Sequence, residues 1–309
     1  MKDLDFSAER FQKQHQFSVL GGEIHFSDCK TWSPSLLERV KEYYLGYGFE
    51  KETDIEIHYQ AASGEFSSPN HRIWNDHLPE TWFEADGVDQ ICISRDFAWK
   101  QKGASSVFEV IGPDLEFFPT DTLDNLMNSL FSKASGNHLQ FILHASAVLK
   151  DGKAFIFFAP SGEGKSTLAR LSYEQRGLSV IGADQVFLRF KNNQLWAYPS
   201  PSLIPEFPKS HPALCRVPNL VHGLFRLQKL NRYHFESSEV RRILPDFLSE
   251  MMPFLGPGWT SQQALDAAIR TLQMHQGPKG FVSYPQNEDF WRLFESPVKG
   301  SGNEKEKTL

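Results

Sequence analysis

The chain has 309 residues, of which 40% are hydrophobic and 23% charged, and its formal net charge is −6. These values are typical of a folded chain with room for two ordinary domains, and they exclude a largely disordered one. The acidic balance argues against a nucleic-acid-binding module, which usually carries a concentrated basic excess. We therefore expect no nucleic-acid partner.

The cysteines and the apolar runs indicate the compartment. Cys29, Cys92 and Cys215 lie far apart and show no paired spacing, which argues against a disulfide framework or a zinc ribbon. The first 15 residues have no apolar stretch typical of a signal peptide, and the longest apolar run, 154–160, is too short to cross a bilayer. The sequence predicts a cytoplasmic protein without a membrane partner.

Residues 1–135 are predicted to form a β-rich N-terminal domain. Short apolar or alternating runs are separated by turn residues, and the predicted strands are 17–20, 55–59, 90–93 and 107–111. One helix interrupts them, with Ser33 as its cap and Pro34 in its first turn. A second helix, at 122–131, has apolar residues at helical spacing and leads into the next domain.

The next predicted element is a β-hairpin. Asp151 and Gly152 separate the apolar runs 139–149 and 154–159, and Asp-Gly between such runs predicts a two-residue type I′ turn. Lys150 would then pair with Lys153, and the same register would place His144 opposite residue 159. A lone histidine on an apolar strand is commonly a core residue, so position alone leaves its role open.

Residues 159–167 read Ala-Pro-Ser-Gly-Glu-Gly-Lys-Ser-Thr, which fits the phosphate-binding Walker A pattern with Ala in place of the first Gly. The two glycines allow successive N–H groups to turn towards an anion, and a helix predicted from Lys165 to about Arg176 would add its N-terminal N–H groups. The alternative is an ordinary glycine-rich turn. The predicted ligands of Mg-ATP are Ser161, Gly162, Glu163, Gly164, Lys165, Ser166 and Thr167.

Asp184 follows a short predicted strand at 178–181. A carboxylate beyond the C-terminal end of such a strand suits a magnesium ligand or a base for an incoming hydroxyl, although an Asp that caps a turn is the alternative. Six prolines within 199–218 predict an ordered loop or lid. A helix is predicted at Ser261–Met274, and a polar, disordered tail at 296–309.

Together these residues resemble the catalytic domain of HPr kinase/phosphorylase and its looser relatives, which include the kinases of lasso-peptide clusters. The resemblance lies in 144–148, 152, 160–168 and 177–188 and continues weakly to about 295. It implies an α/β (α+β) fold: a P-loop domain of the phosphoenolpyruvate-carboxykinase-like type at 136–295 that transfers phosphate from ATP to a serine hydroxyl. The N-terminal half resembles, vaguely, the β-rich leader of the looser relatives.

The resemblance implies catalytic roles for His144, Lys165 and Asp184, and Mg²⁺ ligation by Ser166 and Asp184. The family usually has two adjacent acids where this chain has Ala183 before Asp184. With a single carboxylate, Asp184 would therefore act as base or as metal ligand, combine both roles, or leave one of them to His144. The basic, glycine-rich loop that closes over HPr is not found in this sequence, so HPr is not the expected substrate and 199–218 is a candidate replacement.

Further candidates are weaker. Glu206 could be a second metal carboxylate, or an ordinary surface acid. Clustered arginines could stabilise transferred charge, or form a solvated helix face; they are Arg216, Arg226, Arg232, Arg241 and Arg242.

The sequence suggests three alternative functions. The first is a kinase whose acceptor is a hydroxyl on a peptide, a protein or a small metabolite. The second is a nucleotide-binding sensor or scaffold with little or no phosphotransfer. The third, a transport or motor ATPase, needs a signature motif and a strand ending in Asp-Glu, and the sequence contains neither. The sequence leaves a homo-oligomer open.

Overall fold

The computed structural model describes residues 13–19, 22–27, 55–61, 82–86, 89–93, 97–101, 103, 107–112, 126, 140–199, 213–215, 217–251, 260–285 and 289–295. Its fold is mixed α/β, which confirms the predicted class at this level. The predicted helix at Ser33, most of the proline-rich segment with Glu206 and Arg216, and the tail at 296–309 lie outside these residues. The chain divides into two compact units, Met1–Gly136 with Leu255–Gly258 and Asn137–Phe254 with Trp259–Leu309.

The first unit contains a seven-stranded sheet in the order β1-β2-β3-β7-β6-β5-β4. Its strands are β1 (Lys13–Val19), β2 (Gly22–Ser27), β3 (Ile55–Ala61), β4 (Trp82–Asp86), β5 (Asp89–Ile93), β6 (Ala98–Gln101) and β7 (Val107–Gly112). The four predicted strands are confirmed as β1, β3, β5 and β7, with shifted ends. Trp99 and Phe108 are fully buried and pack edge to face, with ring centroids 5.4 Å apart. Of the helix predicted at 122–131, the structure describes Leu126, which is helical and buried.

The second unit contains an eight-stranded sheet and four helices among the described residues. The strands are β8 (Gln140–Lys150), β9 (Lys153–Phe158), β10 (Ser179–Gly182), β11 (Gln185–Lys191), β12 (Gln194–Tyr198), β13 (Asn219–Leu227), β14 (His234–Ser237) and β15 (Lys279–Ser283). The helices are α1 (Lys165–Arg176), α2 (Val240–Met251), α3 (Ser261–Met274) and α4 (Arg292–Glu295). The prediction for α3 is confirmed to the residue, and Thr260 and Gln263 form a capping box at its start.

The hairpin between β8 and β9 has the predicted register. Lys150 pairs with Lys153, and the ladder continues to Ala145 and Phe158. The two turn residues have positive φ, 51° at Asp151 and 73° at Gly152, as a type I′ turn requires. This ladder brings the start of β8 beside the end of β9, where the glycine-rich loop begins.

The other edge of β8 pairs with two consecutive strands. β10 pairs with its C-terminal half and β11 with its N-terminal half, both antiparallel, and the register shifts between Val180 and Gly182. Residues 183 and 184 lie between the two strands. The N–H of Ala145 donates to the carbonyl of Asp184 at 3.0 Å, so the backbone of Asp184 remains tied to β8 next to His144.

An aromatic core lies beneath the parallel pair of β9 and β13. Phe157 and Phe225 are stacked, with centroids 5.7 Å apart, and Phe290 contacts the edge of Phe157 at 4.9 Å. All three are nearly fully buried. Such burial fixes the end of β9, and with it the start of the loop. Within the part of the chain that the structure describes, no helix is sufficiently long and apolar to span a membrane.

Candidate functional site

The glycine-rich segment connects the buried end of β9 to the first turn of α1. Gly162 and Gly164 have φ angles of 84° and 97°, a region that disfavours residues with a Cβ. Gly164 is the N-cap of α1, and its carbonyl accepts the first helical hydrogen bond, from Leu168 N–H at 2.8 Å. The predicted strand–loop–helix arrangement is therefore present, with α1 beginning at Lys165 and ending before Gly177.

Lys165 folds back over this loop. Its Nζ donates to the carbonyl of Ala159 at 2.7 Å and to that of Pro160 at 3.2 Å, and the residue is only 5% exposed. Burial lowers the pKa of Lys165, and the charges of Glu250 and Asp184 act in the opposite direction. The carbonyls of Ala159 and Pro160 thus hold the ammonium of Lys165 beside the N–H groups of the same loop.

His144 lies between two carboxylates. Its Nδ1 is hydrogen-bonded to Oε2 of Glu250 at 2.7 Å, and its Nε2 is 3.3 Å from Oδ1 of Asp184. The structure thus brings together His144 and Asp184, two of the predicted site residues, and places Glu250 beside them. Lys165 is close enough for its charge to act on both His144 and Asp184.

The pKa shifts of the pair follow from these contacts. Burial by itself lowers the pKa of His144, but the hydrogen bonds with Asp184 and Glu250 outweigh burial, and the pKa is raised. The hydrogen bond with His144 is the main reason that the pKa of Asp184 is lowered, against the effect of burial. Both shifts favour an imidazolium paired with a carboxylate.

The loop hydroxyl predicted to ligate magnesium lies next to the segment of Asp184. Ser166 Oγ donates to the carbonyl of Ala183 at 3.3 Å. Ser161 is exposed and Thr167 half-buried, while the Glu163 carboxylate accepts from the N–H of Lys229 at 2.8 Å. Ser166 therefore contacts the residue that precedes Asp184, whereas the carboxylate of Glu163 is hydrogen-bonded to the chain after β13.

Among the arginine candidates that the structure describes, Arg226 is the one whose charge acts on Lys165. It lies on β13, and its Nε is 3.6 Å from Oδ2 of Asp246 on α2. Arg241 and Arg242 instead pair with the acids Glu239 and Glu236. Arg232 is exposed.

Neither Glu250 as a site residue nor the helix that carries it, α2, was predicted from the sequence. On α2, Phe247 packs edge to face against Phe141 of β8 and Phe158 of β9, with centroid distances of 5.9 and 5.2 Å. Glu250 follows on the next turn and is 4% exposed. Ile243, Phe247 and Met251 are apolar residues at helical spacing, which indicates a helix in the sequence. Pro245 lies between them, and a proline inside a segment argues against a helix there.

The residues present suit a magnesium ion that arrives with a nucleotide. The described residues contain no cluster of three or more His, Cys, Asp or Glu side chains arranged to hold a metal. Magnesium commonly takes one or two protein ligands and completes its shell with water and substrate phosphates. Ser166, whose hydroxyl contacts the residue before Asp184, and the Asp184 carboxylate are the two side chains that would supply such a sparse donor set.

Among solved structures, the chain has a distant likeness to that of the HPr(Ser) kinase/phosphatase from Coxiella burnetii. The two share 19% identity with a TM-score of 0.26, and the alignment covers 47% of this chain and 85% of that one. A likeness of this size carries no argument about activity. No protein-family model matches the chain, and no curated protein matches it.

Proposed function

We propose that this protein is an ATP-dependent kinase that transfers the γ-phosphate of Mg-ATP to a hydroxyl on a peptide, a protein or a small metabolite. One observation carries the proposal: the buried ammonium of Lys165 caps a glycine-rich strand–loop–helix segment beside the linked side chains of His144 and Asp184. In this proposal residues 1–135 are a separate β-rich domain and 136–295 the P-loop domain.

The loop supports nucleotide binding through its backbone. The N–H groups from Gly164 to Thr167 stand at the start of α1, where the helix leaves its first N–H groups without a helical partner and its dipole favours an anion. The N–H of Glu163 donates instead to the carbonyl of Pro160 at 3.4 Å. Lys165 would exchange the carbonyls of Ala159 and Pro160 for phosphate oxygens. Ser166 and Asp184 would hold Mg²⁺, which supplies charge neutralisation on the phosphates when bound.

Asp184 is the better candidate for the base. His144 uses one ring nitrogen as a donor to Glu250, and its other nitrogen faces the carboxylate of Asp184. A ring that donates on both sides has no lone pair with which to take a proton. In the proposed step the acceptor oxygen bonds to the γ-phosphorus, the bond to the ADP oxygen breaks, and the hydroxyl proton passes to the Asp184 carboxylate.

The decisive experiment follows the label of γ-labelled ATP. The full chain is incubated with Mg²⁺, labelled ATP and a panel of hydroxyl-bearing peptides and metabolites, beside Asp184→Asn and the control Lys150→Ala. Lys150 is the last residue of β8, next to the turn of the hairpin and at the opposite end of the strand from His144. We expect transfer by the wild type and by the control, and loss of transfer in Asp184→Asn; transfer that persists in Asp184→Asn contradicts the assigned base.

A second candidate function is a nucleotide-binding sensor or scaffold. It is favoured by Ala183, because the site then has one carboxylate where the resembling family usually has two. Calorimetry separates the two proposals. Magnesium-dependent ATP binding with no labelled product across the acceptor panel supports the sensor and removes the kinase, whereas absence of binding removes both.

A further inference from the structure

Glu250 is a buried acid on α2. Its carboxylate contacts His144, although α2 belongs neither to the glycine-rich loop nor to the strands beside that loop. Glu250 lies in the last turn of α2, is 4% exposed, and is separated from His144 by 106 positions in the sequence. A buried carboxylate is costly unless it is hydrogen-bonded, and here the partner is the ring of His144 at 2.7 Å. The contact therefore ties α2 to the centre of the site.

The contact also fixes which atoms of the ring are available. An ionised carboxylate can only accept a hydrogen bond, so in the proposed arrangement Nδ1 of His144 carries the hydrogen between the ring and Glu250. The opposite nitrogen, Nε2, then points at Oδ1 of Asp184. Without Glu250 the ring could rotate about χ2 and break its alignment with Asp184.

The position of Glu250 is set by packing rather than by the ion pair itself. Phe247, one turn earlier, is fully buried between Phe141 and Phe158. Asp246 on the same helix faces Arg226 on β13. A side chain held on a packed helix is better suited to orient another residue than one held on a loop.

We propose that Glu250 is a positioning residue, which holds the ring of His144 so that Nε2 meets Asp184 and orients the carboxylate that receives the acceptor proton. This inference rests on the proposed kinase function. Among the residues that the structure describes, Asp184, Glu250 and Lys165 are charged groups that act on His144, and the carboxylate of Glu250 contacts Nδ1. The same type of hydrogen bond orients histidines in metal sites and catalytic triads.

The test compares Glu250→Gln with Glu239→Gln in the full chain. Glu239 is an exposed acid just before α2 that pairs with Arg241, so its variant controls for loss of one negative charge near the helix. Two readouts are needed. One is the nitrogen-15 and proton NMR signal of the His144 ring without nucleotide, assigned by its loss in His144→Gln; the other is kcat and KM for ATP in the label-transfer assay.

For Glu250→Gln we expect kcat to fall about 10- to 100-fold, as for other residues that orient a catalytic ligand. The KM for ATP should stay within about twofold, because an orienting contact acts on the transfer step. The ring signal should shift in Glu250→Gln and stay unchanged in Glu239→Gln. In a His144→Gln background, Glu250→Gln should lower kcat no further, since the two residues act as a unit.

Several results overturn the inference. One is a wild-type ring signal showing Nδ1 without hydrogen, which decides the matter even if Glu250→Gln does not fold. Others are a ring signal or a kcat that Glu250→Gln leaves unchanged, or additive losses in the double variant. If the wild type transfers no label to any acceptor, the kinase proposal fails, while the ring signal still decides whether Glu250 positions His144.

Discussion

Nε2 of His144 lies 3.3 Å from Oδ1 of Asp184, across the point where β8 changes its partner from β10 to β11. The backbone supports the contact, since Ala145 N–H donates to the carbonyl of Asp184. Hydrogen bonding with Asp184 and Glu250 raises the pKa of His144 against the effect of burial, and the pKa of Asp184 is lowered chiefly by His144. The pair therefore links protonation to stability.

The first prediction concerns the pH dependence of that link. A raised histidine pKa contributes stability that is full below 6.5 and is lost as pH rises through the folded value. A lowered aspartate pKa contributes stability that is full above 3.8 and is lost as pH falls through the folded value. His144→Gln should therefore lower the free energy of unfolding most between pH 3.8 and 6.5. The decrease should become smaller as the pH rises above the folded pKa of His144. Denaturant titrations at a series of pH values measure it, and a loss that grows with alkaline pH contradicts it.

The second prediction concerns Lys165→Ala. Nucleotide affinity should fall about 100-fold, because a hydrogen bond to a charged group contributes about 1.5–3 kcal/mol. The variant should still fold. Burial lowers the pKa of Lys165 because the buried ammonium loses contact with water, and replacing the lysine by alanine removes this unfavourable desolvation. Calorimetry with Mg-ATP and thermal unfolding are the measurements, with Lys150→Ala as the control.

An unfolded Lys165→Ala variant, or one that binds Mg-ATP as the wild type does, would contradict this prediction. Retained affinity would also remove the loop from the proposed site. The same variant should abolish label transfer, so the loss of transfer is expected to accompany the fall in affinity.

The parts of the site that sequence predicted are those with local signals. Asp151 and Gly152 predict the turn, the turn fixes the register of β8 and β9, and the register brings His144 towards the loop. Gly162, Gly164 and Lys165 predict the loop and the start of α1. Each of these inferences needs only the chain within a few residues of the feature.

The parts that sequence did not predict depend on packing between distant segments. Glu250 reaches His144 because Phe247 seats α2 on β8 and β9, and no local pattern specifies that docking. The turn between β11 and β12 was also missed. Asn192 and Asn193 occupy it with φ of 52° and 60°. Asparagine adopts positive φ more readily than most residues, but in a sequence it predicts such a turn less strongly than glycine does.

The third prediction compares Gly162→Ala with Gly152→Ala. Both glycines have positive φ, 84° and 73°, and a methyl group at either would meet no atom within 4 Å among the described residues. Each substitution should cost about 1–2 kcal/mol of stability through backbone strain alone. Only Gly162→Ala should weaken Mg-ATP binding, because Gly162 shapes the loop and Gly152 the distant hairpin turn.

Thermal unfolding and calorimetry on the two variants check this comparison. Equal stability losses with selective loss of binding support a backbone cradle for phosphate at 161–167. Equal losses of binding in both variants would show that affinity follows general stability, and unchanged binding in Gly162→Ala would show that the conformation of the loop is not needed.

The last prediction concerns the hydrogen bond that joins α1 to the C-terminal segment. Trp291 Nε1 donates to Ser172 Oγ at 2.9 Å, and Ser172 Oγ donates to the carbonyl of Leu168 at 2.8 Å. Both residues are 1% exposed. Ser172→Ala leaves the indole N–H without this acceptor and should cost about 1–3 kcal/mol. In a Trp291→Phe background the donor is absent, so Ser172→Ala should cost less. A double-mutant cycle by denaturant unfolding measures the coupling, and strictly additive losses would show that this bond does not hold α1 in place.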